Sequence, residues 1–448
     1  MQRLPKQVEW VLHTMHQHGK EAFLVGGCVR DLIMNREIHD FDITTSALPN
    51  ETMEIFQTHC KVIPTGIQHG TITVLVDKLP IEITTYRVEQ AYIDHRCPSS
   101  VIFTENLLED LKRRDFTMNA IAYAPQQGFY DPFQGKKDIE QHLIRSVGDP
   151  KLRLEEDALR ILRALRFSMT LHFDIEEQLT LAIKQKASTL SYISKERIRS
   201  EFDQMLLSDH KQLLSTLRAY DVLEQIIPNY SIIYDYEQKT PWHIYDIFQH
   251  TDVALDHSDG YPLESKLAIV FHDLGKPHME TFDEHGIAHY KKHALISEEM
   301  AKASMKNLHY DNKTIERTCK LIYYHDYYVK PTRKILRRFL AKFDNDTDFA
   351  IQALMVQMAD DQAKNMEKAK EKIDILQESI MLLKEMEKDQ DQVSIKDLNV
   401  NGHDMMALGL QGKQIKDMLH YLYDIVLDDP QQNEKTYLLD IAKKKMQD

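Results

Sequence analysis

Leu24-Val25-Gly26-Gly27-Cys28-Val29-Arg30-Asp31 and, shortly after, Asp40-Phe41-Asp42-Ile43 set the architecture of the N-terminal part of this chain. Ala22 to Val25 reads as a short apolar strand that runs into two glycines, and Val29 to Met34 begins a helix. Glycines between a strand and a helix let backbone N–H groups approach phosphate oxygens, and the helix N-terminus adds a favourable dipole. Along a strand, residues i and i+2 point to one face, so the carboxylates of Asp40 and Asp42 project together while Phe41 packs behind them. Two adjacent anions are costly unless a cation neutralises them, and Mg²⁺ is bound by one or two carboxylates plus substrate phosphates. Solvated aspartates at a strand end, or an ordinary βα turn, would leave the same letters.

Moving away from that core, Val8 to Gly19 has helical spacing, and Phe41 to Thr44, Thr71 to Val76 and Ile81 to Thr85 are β-rich. Glu82 is placed to supply a third carboxylate from a neighbouring strand. After Gly148-Asp149-Pro150 the pattern turns helical and stays so to about residue 227. A loop containing Pro228, Asn229 and Pro241 follows, then a histidine-bearing helical unit and a charged, amphipathic C-terminal stretch. The expected domains are an α/β palm at 1–147, a helical neck at 148–227, a helical body at 242–363 and a helical tail at 364–448. The fold class is α+β, a mixed sheet with helices followed by all-α domains.

The chain has 448 residues with 42% hydrophobic and 28% charged, which excludes a disordered or membrane-embedded protein. No apolar run approaches the roughly 18 residues of a membrane span. Met1 to Lys20 lacks the apolar core of a signal peptide, and Cys28, Cys60, Cys97 and Cys319 form no CxxC. A cytoplasmic enzyme without membrane partners is expected. The net charge of −14, from 56 basic and 70 acidic residues, argues against electrostatic coating of nucleic acid and requires any RNA path to concentrate its cations locally.

Two further segments carry chemistry. Arg113-Arg114-Asp115-Phe116-Thr117-Met118-Asn119-Ala120 offers planar guanidinium forks suited to triphosphate and ribose, or a solvated turn pairing with Glu109 and Asp110. In Glu155-Glu156-Asp157-Ala158-Leu159-Arg160-Ile161-Leu162-Arg163-Ala164-Leu165-Arg166-Phe167, a single helix would set Asp157 and Arg160 on neighbouring faces. Arg163 and Arg166 would continue a stripe drifting about 60° per step, opposite Leu159, Leu162, Leu165 and Phe167. By itself that helix is an ordinary surface ion pair.

Together the ordered motifs, GGxxRD, DxD, RRDFTxNA and EDxxR, resemble the class II tRNA nucleotidyltransferases, the CCA-adding enzymes and bacterial poly(A) polymerases, over about residues 20 to 210. The resemblance implies a polymerase-β-like palm, metal-binding catalytic carboxylates at Asp40 and Asp42, and nucleotide contacts at Gly27, Arg30 and Arg114. It makes Asp157 and Arg160 an amino-acid template, with Arg163 and Arg166 as further nucleotide contacts. Hydrogen-bond chemistry agrees: Asp only accepts and Arg only donates, so cytosine and adenine satisfy the pair while uracil and guanine reverse both partners. The implied reaction is attack of a tRNA 3′-hydroxyl on the α-phosphate of CTP or ATP, with Mg²⁺ as cofactor. Arg87 to Asp110, including Tyr92-Ile93-Asp94-His95-Arg96-Cys97-Pro98, resembles the loop tied to final A addition, with Cys97 where the family often has Arg. A-only addition and poly(A) polymerisation stay open as alternatives.

A second constellation comprises His250, Ala268-Ile269-Val270-Phe271-His272-Asp273-Leu274-Gly275-Lys276, His293, His325-Asp326 and Asp360-Asp361. Lone histidines in helices are usually structural. The ordered H…HD…D series resembles the HD phosphohydrolases over about residues 245 to 365. It implies metal ligands at His250, His272, Asp273 and Asp360, for Mn²⁺, Ni²⁺ or Mg²⁺, with His293 and His325 near a second metal or a phosphate. The implied substrates are 2′,3′-cyclic phosphates or 3′-phosphates on tRNA ends. The body and tail are expected to grip the acceptor and TΨC arms. Two rivals remain: a metal-stabilised helical body without hydrolase activity, and a phosphohydrolase whose first domain merely binds RNA. Monomer and homodimer are both open.

Overall fold

The computed structural model describes residues 3–89, 92–93, 97–98 and 101–447. The loop expected over Arg87 to Asp110 therefore lies partly outside the described residues, its Asp94-His95-Arg96 core included. The chain divides into two compact units: residues up to His210 with Thr216–Pro228, and Lys211–Ser215 with the chain from Asn229 onward. The expected palm and, apart from Lys211–Ser215, the expected neck fall in the first unit, and the expected body and tail in the second. No helix among the described residues is long and apolar enough to cross a membrane.

The first unit is built on a seven-stranded sheet comprising β1 (Ala22–Val25), β2 (Phe41–Thr45), β3 (Lys61–Gly66), β4 (Thr71–Val76), β5 (Leu79–Thr85), β6 (Ala122–Ala124) and β7 (Gly128–Tyr130). The strand order is β7-β6-β1-β2-β5-β4-β3. Neighbours are antiparallel except β2 and β5, which run parallel in a register that sets Asp42 beside Glu82. All four β1 residues are buried, so it reads as a continuous apolar run, whereas β5 alternates, burying Ile81, Ile83 and Thr85 and exposing Glu82. Phe23, Val25, Tyr86, Leu111, Ala122 and Ala124 pack one face of the sheet.

The helices beyond the sheet begin where the sequence places its turn residues. Asp149 caps helix Pro150–Glu156 by accepting from the N–H of Lys151 at 2.8 Å, and Pro150 stands in the first turn, where its missing N–H costs nothing. That helix stops at Asp157, whose backbone is extended (φ −139°, ψ 104°), and a new helix runs Leu159–Leu171. The single helix expected across Glu155 to Phe167 is thus two. Asp157 Oδ1 accepts from the N–H of Leu159 at 3.1 Å, a local bond that competes with helix continuation and explains the break.

In the second unit, helix Leu263–Phe271 is buried along nearly its whole length and delivers His272 and Asp273 from its C-terminal end into the interior. Gly275 then lets helix His293–Asn307 lie against the chain: a Cβ there would stand 2.4 Å from the His293 carbonyl oxygen and 2.8 Å from the Ser297 nitrogen. The C-terminal stretch carries a core of its own around Met405, Leu422, Val426, Leu427 and Leu438. Ion pairs bind helix Arg333–Lys342 to the acidic residues that follow, Arg337 to Asp391 at 2.9 Å and Arg338 to Asp428 at 2.5 Å.

Candidate functional site

Gly26 has φ +77°, a conformation that disfavours any side chain, and it sits where the palm's charges converge. A Cβ there would lie 3.4 Å from Arg114 Nη1 and 3.6 Å from Asp42 Oδ2. Asp42 is half-buried on β2. Burial pushes its carboxyl above the ordinary value, Arg114 pulls the other way, and Glu82 and Asp40 push up again. Asp40 stands exposed just ahead of the strand rather than within it. A carboxylate raised by burial and by two neighbouring acids gains from a divalent cation, so the residues present fit a hard metal ion. Arg114 Nε is buried and makes no hydrogen bond, which leaves a donor for an incoming oxygen.

Carboxylates fix the arginines. Asp110 is fully buried. It accepts from Thr44 Oγ1 (3.0 Å) and the Arg87 N–H (3.3 Å), and pairs with Arg113 (2.8 Å) and Arg114 (3.4 Å). Burial opposes its charge, yet Arg113 and Arg114 hold its carboxyl below the ordinary value. Arg30, beside Gly27 at the start of helix Gly27–Ile33, is pinned by Asp31 (2.9 Å) and by Asn119 Oδ1 (3.1 Å). Burial likewise opposes the charge on Asp115, but Arg163, Asn119 and the Phe116 N–H bring its carboxyl down to about 2.

Asp157 and Arg160, the residues expected to read the base, do not lie ready as a pair. Asp157 receives two bonds from Arg197, at 2.8 and 3.4 Å. The buried Arg160 donates to Glu156 Oε2 (2.6 Å) and to the carbonyls of Arg153 and Arg113 (2.9 Å each). Arg163 donates to Asp115 (2.7 and 2.8 Å) and Arg166 to Glu201 (2.5 Å). Phe167, expected on the opposite side from this stripe, sits among it. The guanidiniums of Arg30, Arg163 and Arg166 lie 5.0, 5.3 and 4.1 Å from its ring centre. The long arginine stems fold back over the ring, which helical spacing alone does not foretell.

The structure draws together the histidines of the second unit. His250, His272, Asp273 and Asp360 offer ligand atoms that all lie within 4.8 Å of one another, and so do Asp273, His293 and His325. His250 Nε2 is 2.8 Å from Asp360 Oδ1, and His272 Nε2 is 3.2 Å from Asp273 Oδ2. His293 and His325 approach the other oxygen, Asp273 Oδ1, at 3.2 and 3.9 Å. Each of the four imidazoles turns its Nδ1 to a backbone carbonyl: Ala363, Ile269, Tyr290 and Ile322 respectively. That arrangement fixes the tautomer and aims Nε2 inward, as metal sites require. His272 Nε2 and both Asp273 oxygens are buried without a hydrogen bond of good geometry, so the donor set fits one or two divalent cations. Among the described residues, clusters this tight lie in the second unit and not among the palm carboxylates. A cavity of about 560 Å³ opens beside the cluster, walled by Trp242, His243, Lys276, Tyr290, Lys291 and Lys372 among others.

The sequence reading offered Asp110 only as the partner of a solvated turn and gave no role to Asn119, Glu156, Arg197 and Glu201. Asp110 and Asn119 lie beside or within the double-arginine motif and Glu156 stands four residues before Arg160, whereas Arg197 and Glu201 had no local signal.

Residues 22–145 match the family model described as the poly A polymerase head domain. Residues 172–233 match the "probable RNA and SrmB-binding site of polymerase A", and 284–442 a putative "tRNA nucleotidyltransferase domain 2". His250, His272 and Asp273 fall between the second and third of these. The chain is 47% identical over 221 residues to the CCA-adding enzyme of Lactobacillus helveticus, covering 49% of this chain and 55% of that protein. It is 49% identical over 196 residues to the CCA-adding enzyme of a Geobacillus species, covering 44% and 48%. These matches span about half the length of the curated relatives. The structure of the Bacillus stearothermophilus CCA-adding enzyme in complex with CTP aligns with a TM-score of 0.73 at 26% identity, covering 100% of this chain and 98% of that one. The Thermotoga maritima CCA-adding enzyme complexed with tRNA shares the fold at a TM-score of 0.60 and 17% identity, over 99% and 97%. The head, RNA-binding and second-domain models match in that order along one chain, and the relatives and solved structures it resembles over these regions are CCA-adding enzymes.

Proposed function

We propose that this protein adds CCA to the 3′ end of tRNA, drawing on CTP and ATP, in the cytoplasm where those substrates reside. The observation that carries the reading is the convergence of Asp42, Glu82, Arg114 and the Gly26 backbone at one spot of the sheet. Asp40 and Asp42 would hold Mg²⁺, which when bound neutralises the triphosphate and favours ionisation of the RNA 3′-hydroxyl. Gly26 and Gly27 leave room for phosphate oxygens at the start of the helix, and Arg114 donates to them from the side. Arg30, Arg163 and Arg166 surround the ribose and phosphates with fixed donors. The hydroxyl oxygen attacks the α-phosphorus, the bond to the bridging oxygen breaks, and pyrophosphate leaves. Asp157 accepts from the exocyclic amino group of cytosine or adenine while Arg160 donates to the ring nitrogen, so uracil and guanine leave both side chains unsatisfied. The test is incorporation into tRNAs lacking one, two or three terminal nucleotides. CTP use on tRNA without CCA supports the reading; ATP use restricted to tRNA ending in CC would support A-only addition instead.

The imidazole–carboxylate cluster favours a second reading. His250, His272, Asp273 and Asp360 would hold one divalent ion, Mn²⁺, Ni²⁺ or Mg²⁺, and Asp273, His293 and His325 a second. Such an ion supplies Lewis acidity for phosphate-ester hydrolysis. Removing a 3′-phosphate or opening a 2′,3′-cyclic phosphate would restore the hydroxyl that the palm consumes. Equilibrium dialysis with Mn²⁺, comparing wild type with His272→Ala, tests the binding; equal uptake by both would refute it.

A further inference from the structure

The wall of the cavity beside the histidine cluster holds an exposed aromatic side chain that the metal-binding reading does not use. Trp242, one of two tryptophans in the chain, is 39% exposed there. Its backbone is tied on both sides: its N–H donates to Thr240 Oγ1 (3.3 Å), and its carbonyl accepts from the N–H of Asn365 (2.9 Å), just beyond Lys364. The same Thr240 hydroxyl lies 2.7 Å from His243 Nδ1, and the His243 ring is 5.3 Å from that of His250. The backbone that carries the indole is therefore fixed at the cavity wall beside the cluster. Lys368 and Lys372 stand 5.9 and 5.1 Å from its ring, and Lys291 and Lys292 add charge to the cavity wall.

An exposed indole edged by lysines, next to His272 and Asp273 atoms that make no hydrogen bond of good geometry, is a combination suited to a nucleotide. The lysines attract phosphate, and a flat ring accepts a base of any identity. We propose that this cavity binds a nucleotide with its phosphate at the histidine–aspartate cluster and its base stacked on Trp242. The inference rests on the hydrolytic reading of the cluster and adds to it a subsite that selects base-bearing esters over simple ones. Chain ends and free nucleotides share this chemistry.

The test uses the full chain loaded with Mn²⁺, as wild type, Trp242→Ala and Trp242→Phe. Phosphate release is followed from cytidine 3′-phosphate, from an RNA oligonucleotide bearing a 3′-phosphate, and from glycerol 2-phosphate, which has no base. Water adds to phosphorus, the ester P–O bond breaks, and the alcohol leaves with a proton. Trp242→Ala is expected to raise KM for a base-bearing substrate about tenfold more than for glycerol 2-phosphate, with kcat held and Trp242→Phe restoring most of the loss. A loss confined to the oligonucleotide identifies an RNA end as the ligand; a loss with cytidine 3′-phosphate admits the free nucleotide. In a parallel titration that needs no turnover, cytidine 3′-phosphate should quench the fluorescence of wild type but not of Trp242→Phe. Equal KM changes for all three substrates, or quenching that persists in Trp242→Phe, overturn the base subsite. Absence of metal-dependent phosphate release in wild type overturns the hydrolytic reading alone, and the fluorescence titration then decides the subsite.

Discussion

Arg197→Met should make the nucleotide site bind better, not worse. Asp157 accepts two bonds from Arg197, at 2.8 and 3.4 Å, and these must part before a cytosine amino group can take the carboxylate. The side chains are 36% and 19% exposed, which places the pair among partly solvated ion pairs worth about 0.5–1 kcal/mol. Removing the competitor therefore lowers KM for CTP by about two- to fivefold, with kcat nearly unchanged, because the exchange cost falls on binding alone. UTP should stay excluded, since Asp157 and Arg160 remain and the uracil O4 would still face a carboxylate. The assay is single-nucleotide incorporation into tRNA lacking its terminal CCA, with CTP and UTP run in parallel. A tenfold rise in KM for CTP would refute the reasoning, making Arg197 a direct contact to nucleotide or RNA. Efficient UTP use by the variant would show that Asp157 and Arg160 do not suffice for selection.

Asp42→Ala and Asp273→Ala should separate the two centres. The first is expected to cut CTP incorporation about a hundredfold or more while leaving Mn²⁺ uptake at the histidine cluster intact, and the second to do the reverse; incorporation surviving Asp42→Ala would remove the metal assignment in the palm. Asp115, brought down to about 2, contributes stability that is complete above the ordinary carboxylate value near 3.8 and is lost as pH falls through 2. The contribution is about 2–3 kcal/mol. The difference in urea midpoint between wild type and Asp115→Asn should hold constant from pH 7 to pH 5 and narrow below pH 4, and a constant difference down to pH 2.5 would contradict it. Gly275→Ala puts a methyl group 2.4 Å from a backbone oxygen, so helix His293–Asn307 must shift, at a cost of about 1–3 kcal/mol. The expected result is a lowered Tm together with weakened Mn²⁺ binding, because His293 moves with that helix; unchanged Mn²⁺ affinity would argue that His293 is not a ligand.

What the sequence made legible was what depends on short-range pattern. Strand β4 falls where the β-rich run Thr71 to Val76 puts it, since alternation and turn residues act locally. The gathering of His250, His272, Asp273 and Asp360 was legible because each stands in a spaced motif. Two things were hidden. The helix break at Asp157 was missed because Glu155 to Phe167 has unbroken helical spacing, and the deciding feature is one side chain bonding the backbone two residues on. The carboxylate partners were missed because Asp115 to Arg163 and Glu201 to Arg166 are long-range pairs that no local pattern announces.

Those partners resolve the tension between an acidic chain and an anionic substrate. Arg30, Arg114, Arg160, Arg163 and Arg166 are each tied to a carboxylate: Asp31, Asp110, Glu156, Asp115 and Glu201. Three of those guanidiniums crowd one phenyl ring, and burial, with Arg163 and Arg30 nearby, lowers the pKa of Arg166 even against Glu201. So many buried cations could not coexist without acids, and the acids also set where each planar fork points. The negative net charge is thus partly the counterpart of a cluster of arginines held in place by acids. In the second unit the roles are exchanged. Lys276 lies 2.6 Å from Asp273 and Lys364 2.7 Å from Asp360, so cations there neutralise carboxylates that face a metal-sized gap. A divalent ion entering that gap would take over part of what the lysines do, freeing their ammonium groups toward the cavity. In the neck, by contrast, the proposed base readout would have to free Asp157 from Arg197 and Arg160 from Glu156. On the proposed reading, selection at the first centre would be an exchange of ion pairs, in which a base that offers the wrong donor and acceptor leaves Asp157 with Arg197 and Arg160 with Glu156.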